Sequence, residues 1–184
     1  MHFLNAAALP SDVKSALILV DLENEWRNPS SEYYVGNLKG LIANTNKLID
    51  FCRKKGSKII FIRHVEKSGK AFRKGTRNTA LFEELHRDRK DSVITKHKIS
   101  PFYKTGFESK LKGVKGITVA GILTNLCVRS TVNDAYDRDF PVTLVEDCCV
   151  SVSRKMHNHT LEDIRLTRPE VKIVKLNKFI GGKK

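Results

Sequence analysis

ITVAGILTNLCVRSTVNDAYDRDF, residues 117–140, decides how the rest of the chain reads. Residues 117–122 have the unbroken apolar character of a buried strand. Gly121 lets the chain turn sharply, Thr124 or Asn125 is placed to cap the helix that follows, and Cys127 falls in the first turn of that helix. Unpaired backbone N–H groups and the positive end of the macrodipole favour a thiolate there, so the position predicts a lowered thiol pKa. Simple packing explains the same cysteine equally well, because free cysteine is among the most buried residue types.

Outward from this stretch, short apolar runs alternate with amphipathic ones. ALILVD (16–21) reads as the first strand, a helix follows from Gly36 to its stop at Gly56, and KIIFIR (58–63) reads as the second strand. TALFEELH (79–86) has the spacing of a short helix and DSVITK (91–96) that of a third strand, while Pro101 interrupts the next segment and leaves a helical turn or two over 107–112. After strand 117–122 and helix 126–138, PVTLVED (141–147) is the fifth strand, 151–166 an amphipathic helix and VKIVKL (171–176) a sixth, edge strand. The alternation predicts one domain over 1–184: a three-layer α/β/α, Rossmann-like fold with a mainly parallel sheet of about six strands and helices on both faces.

Composition narrows the function classes. At 184 residues the chain is long enough to bury a core without disulfides or metal. The four cysteines (Cys52, Cys127, Cys148, Cys149) show neither C-x-x-C nor zinc spacing, which predicts a reducing compartment. The N-terminal stretch MHFLNAAALPSDVKS lacks a basic region and a long apolar core, and no run is long enough to span a bilayer; the expectation is a cytoplasmic protein without membrane association. A net charge of +14 invites a nucleic-acid partner. Its densest cluster, residues 67–77, carries Gly69 and Gly75 and reads as a loop, either a lid or an ordinary exposed one, and no nucleic-acid motif accompanies it. A solvated basic surface is the favoured reading.

In an open parallel sheet, ligands bind beyond the carboxyl ends of the strands. Asp21 closes the first strand, Lys96 closes the third and Cys127 follows the fourth. An acid, a cation and a thiol at such ends specify a nucleophile with a proton acceptor and an electrostatic partner.

These residues lie in ordered blocks, ALILVDLENEW, TKHKISPF, GILTNLCVRSTVNDAYD and EDCCVSVSRKMHNHTLEDI, and together the blocks resemble the isochorismatase-like cysteine hydrolases, relatives of nicotinamidases and N-carbamoylsarcosine amidohydrolases. The resemblance implies a triad of Asp21, Lys96 (rather than Lys98) and Cys127, in which Cys127 forms a thioester with an amide-type or carbamoyl carbonyl of a small molecule. It also implies a cis peptide at Leu123–Thr124, aiming the backbone N–H groups of Thr124 and Cys127 at the oxyanion, and a homo-oligomer, dimer or tetramer. Glu23 stands where the family often has Gln and either tunes Asp21, binds a cationic group or points away. Trp26, Phe102, Tyr103 and Leu123 are further candidates to wall the pocket. Nicotinamidases carry an Asp-x-His-plus-His metal site where this chain has FIRHVEK, so His64 reads as a structural or supporting histidine, and neither metal nor cofactor is expected. His157 and His159, two residues apart on a helix, face different ways and make a poor metal pair. Cys127 itself argues against cleavage of isochorismate. The alternatives are a hydrolase of another linkage such as a cyclic imide, and an inactive relative serving as a basic interaction protein, with RNA as a partner.

Overall fold

Strands β1 (Ser15–Val20), β2 (Lys58–His64), β3 (Ser92–Lys96), β4 (Gly116–Ile122), β5 (Val142–Val150) and β6 (Lys172–Val174) form one parallel sheet in a computed structural model that describes residues 14–181. Their order, β3-β2-β1-β4-β5-β6, reverses direction at the β1/β4 pair. The N-terminal stretch read for a targeting signal, residues 1–13, lies outside the described residues. Among the described residues, no helix is long and apolar enough to cross a membrane.

The helices are α1 (Lys39–Lys54), α2 (Phe107–Lys110), α3 (Arg129–Tyr136), α4 (Arg154–Thr167) and α5 (Leu176–Gly181). Right-handed crossovers on the two sides of the reversal put α1 on one face of the sheet and α3 and α4 on the other. α5 joins α1, with the rings of Phe51 and Phe179 edge to face at 5.6 Å. Cover on both sides explains why Leu17, Ile18 and Leu19 are all wholly buried, whichever face they point to. Each such side chain contributes roughly 2 kcal/mol of burial.

Several local expectations change. Gly121 does not end the strand: it stays in β4 beside Val20, at φ +135°, where an added Cβ would lie 2.1 Å from the Val20 carbonyl oxygen. Glycine is required there because the backbones of β1 and β4 approach too closely for any side chain. The cis peptide is Ile122–Leu123, one bond earlier than expected, because β4 runs to Ile122 and Leu123 alone links it to the next turn. That turn, Thr124–Val128, is a π-helical one, and regular helix starts only at Arg129.

Residues 80–86 form no helix, and Thr79 only closes a 3-10 turn, Arg77–Thr79. Leu81 bridges Glu23 in antiparallel fashion and Phe82 donates its N–H to the Leu22 carbonyl, so the segment is spent as an extended cover over the loop after β1. Buried Phe82 and Leu85 pin it there, which overrides its helical spacing. The sixth strand stops at Val174, since the Asp147 carboxylate accepts the Leu176 N–H at 2.6 Å and starts α5.

Candidate active site

The carboxyl ends of β1, β3 and β4 bring Asp21, Lys96 and Cys127 together. Asp21 follows Val20 with φ +52°, a left-handed conformation that costs a non-glycine residue roughly 1 kcal/mol. Main-chain bonds hold it there: its N–H donates to the Ile62 carbonyl, and its own carbonyl accepts from the Trp26 indole N–H at 2.7 Å and the Glu23 N–H at 2.9 Å. Trp26 therefore supports Asp21 from behind, packed edge to face with Phe72 and Tyr33. Phe72 in turn anchors the basic loop 67–77: it is buried, and its N–H donates to the buried Glu25 carboxylate at 3.0 Å.

Lys96 ends β3, two strands from β1, a spacing of about 10 Å. Only a long side chain crosses that gap. Its Nζ lies 2.8 Å from Asp21 Oδ2 and donates to Cys127 Sγ at 3.2 Å, while Lys98 stays exposed. Asp21 and Lys96 are both wholly buried and Cys127 is 5% exposed.

Cys127 lies late in the π turn, which is organised around the Leu123 carbonyl: the N–H groups of Leu126 and Val128 both donate to it at 3.1 Å. Thr131 Oγ1 donates to the Cys127 carbonyl at 2.7 Å, and Thr124 Oγ1 pairs with His157 Nδ1 at 2.8 Å, tying the turn to α4. The lowered thiol pKa expected from a helix terminus is reversed. Burial, and then the negative charge of Asp21, raise the Cys127 thiol, and Lys96 only partly opposes them. Burial pulls Lys96 down, but Asp21 and Cys127 outweigh it and the net shift is upward.

Glu23 is wholly buried beside Asp21; its Oε1 accepts the His64 N–H at 2.5 Å and its Oε2 has no partner. Burial, then the Asp21 charge, raise its carboxyl well above the usual carboxylate range, against weaker pulls from the His64 N–H, Lys96 and Arg63. The Asp21–Lys96 pair is already neutral, so a second carboxylate would bring an uncompensated buried charge.

Phe102 is buried against Phe107 and under the Arg138 guanidinium, and Leu123 is buried at the start of the turn. Tyr103 is exposed and lines, with Ile99, Leu126 and Arg129, an open groove of about 570 Å³ over α3 that does not include the three central residues. His64, read from the sequence as a structural or supporting histidine, has its ring beside Lys96. His157 lies against the turn that carries Cys127, and burial lowers its pKa. No group of three or more His, Cys, Asp or Glu side chains suited to a metal occurs among the described residues, and all four cysteines are free and buried.

The isochorismatase domain family matches residues 15–172. Nicotinamidase 3 of Arabidopsis thaliana is 26% identical, covering 84% of this chain and 82% of the relative. A ureidoacrylate amidohydrolase of Agrobacterium fabrum is 24% identical over 73% and 75% of the two chains. The crystal structure of an isochorismatase-like hydrolase from Alkaliphilus metalliredigens has the same fold, with a TM-score of 0.82 at 23% identity, covering 92% of this chain and 98% of that one.

Proposed function

We propose that this chain, which belongs to the isochorismatase family, is a metal-independent cysteine hydrolase that cleaves an amide-type or carbamoyl C–N bond of a small molecule through a thioester on Cys127. One observation carries the reading: a single buried ammonium, Lys96, lies between the Asp21 carboxylate at 2.8 Å and the Cys127 sulfur at 3.2 Å. The relatives named as a nicotinamidase and a ureidoacrylate amidohydrolase support the C–N linkage.

In the resting site the raised thiol pKa keeps Cys127 protonated. Deprotonation is thus coupled to attack: Asp21 takes the thiol proton as sulfur bonds to the substrate carbonyl carbon, and Lys96 holds the two charges in register. The oxyanion is received by the N–H groups of Thr124 and Cys127, each such donor contributing about 3 kcal/mol. Collapse breaks the C–N bond, and Asp21 passes its proton to the departing amine. Asp21 then takes a proton from water, the hydroxide attacks the thioester, and the expelled thiolate regains a proton. The engagement of both His64 ring nitrogens, by Lys96 and by Glu66, supports a mechanism without a metal there. We extend the reading to a homo-oligomer, which exposed Ile99, Tyr103 and Leu126 beside the nucleophile turn support and light scattering tests.

A screen of primary amides, carbamoyl compounds and cyclic imides for ammonia or amine release tests the reading, with Cys127→Ala as control. Turnover by the native protein alone, with an acyl mass trapped on Cys127, is the expected result. Turnover that survives in Cys127→Ala sinks it.

A further inference from the structure

Lys96 has a neighbour that the triad does not use. Its ammonium carries three N–H groups, can only donate, and is wholly buried. Asp21 Oδ2 at 2.8 Å and Cys127 Sγ at 3.2 Å take two of them. His64 Nδ1, at 3.3 Å, faces the third. The contact follows from topology: His64 ends β2 in register with Lys96 on β3, so both side chains leave the sheet on the same face.

We propose that His64 is a positioning residue: its bare Nδ1 accepts the third N–H of Lys96 and so aims the ammonium at Asp21 and Cys127, while Glu66 locks the required tautomer. The chemistry leaves one assignment. A donor-only partner requires an unprotonated Nδ1, so the ring proton is on Nε2, and Nε2 lies 2.7 Å from Glu66 Oε1. The histidine is otherwise fixed by its main-chain N–H on Glu23 Oε1 at 2.5 Å and by the Phe72 ring, edge to face at 5.1 Å. The charged and titratable groups about it are Lys96 at the end of β3 and His97 just after it, Asp21 and Glu23 from the β1 end, and Glu66. His97 is turned to the Val65 carbonyl, and Arg63 to Thr95. Protonation of His64 would set an N–H against the Lys96 N–H and place two cations together. An N–H in that place would turn the ammonium away from Asp21 and Cys127.

The inference rests on the assignment of Cys127, Asp21 and Lys96 above, and its test separates the two. Alkylation of Cys127 by iodoacetamide, located by peptide mass spectrometry, is followed from about pH 5 to about pH 9 in the full-length protein and in His64→Asn, His64→Leu and Glu66→Gln. Imidazole nitrogen NMR of the native protein reads the tautomer directly. We expect a bare Nδ1 and a protonated Nε2 at neutral pH. We also expect a loss of about tenfold in rate in His64→Leu, most of it recovered in His64→Asn, whose Oδ1 supplies an acceptor that cannot be protonated. An Nδ1–H tautomer, equal rates in His64→Leu and the native protein, or a purified protein carrying a divalent metal on His64 and Glu66 overturns the proposal. A native Cys127 that does not react at any pH in the series overturns its assignment as the nucleophile instead, and the NMR result still decides the tautomer.

Discussion

Lys96 Nζ and Asp21 Oδ2 lie 2.8 Å apart with both side chains wholly buried, on strands that are not neighbours in the sheet. The pair spans β2 and locks the carboxyl ends of β3 and β1 to each other. It also fixes what each partner costs if left alone.

Lys96→Met removes the cation that contacts Asp21 among the described residues and leaves a buried carboxylate beside Glu23. Breaking such a pair costs about 3–5 kcal/mol. Denaturant unfolding of Lys96→Met at neutral pH should show that loss, and the Lys96→Met, Asp21→Asn double variant should regain much of it.

Cys127→Ala should fold as the native protein does, since it removes a small side chain and leaves the Asp21–Lys96 pair intact. Hydrolysis should fall by about 10⁴-fold or more, because the nucleophile has no substitute. Circular dichroism and ammonia release on the same sample check both halves.

Glu23 links stability to pH. Its carboxyl is raised in the folded protein from an ordinary value of 4.5, so the folded state binds the extra proton between the two values. Its contribution is complete below the unfolded pKa and is lost as pH rises through the folded one. Glu23→Gln should therefore gain stability over the native protein as pH rises above about 4.5. Chemical unfolding at a series of pH values reads the slope, and an unchanged gap across the series would refute a protonated Glu23.

His157 has the opposite sign. Burial lowers its pKa from 6.5, so the folded protein prefers the neutral ring that pairs with Thr124 Oγ1. Stability should fall as pH drops through 6.5 towards the folded value, and His157→Gln should flatten that fall.

Gly121→Ala tests the β1/β4 contact. The new Cβ would meet the Val20 carbonyl at 2.1 Å, a backbone atom that cannot yield without breaking the strand pairing. Loss of soluble folded protein, or destabilisation of more than about 3 kcal/mol, is expected. A stable, soluble variant would mean that the two strands do not approach as described.

The strands along the chain and the three residues at their ends were legible because they rest on local signals: apolar runs between helical spacings, and an acid, a lysine and a thiol at strand ends. The segment 79–86 misled for the same reason, since its helical spacing is real but Phe82 and Leu85 are claimed by the loop after β1. Trp26 was legible as an aromatic near the site, and only the fold shows its indole holding the Asp21 carbonyl.

By itself, then, the sequence determined the parallel α/β sheet, the placement of Asp21, Lys96 and Cys127 at strand ends, and the family, because periodicity and residue type are properties of short segments. The tertiary structure alone decided the direction of the pKa shifts: burial lifts the Cys127 thiol that a helix terminus would lower, and crowds Glu23 against Asp21. It also decided that His64 faces Lys96. Charge and desolvation depend on what lies within a few ångströms in space, and here those neighbours come from strands far apart in the chain.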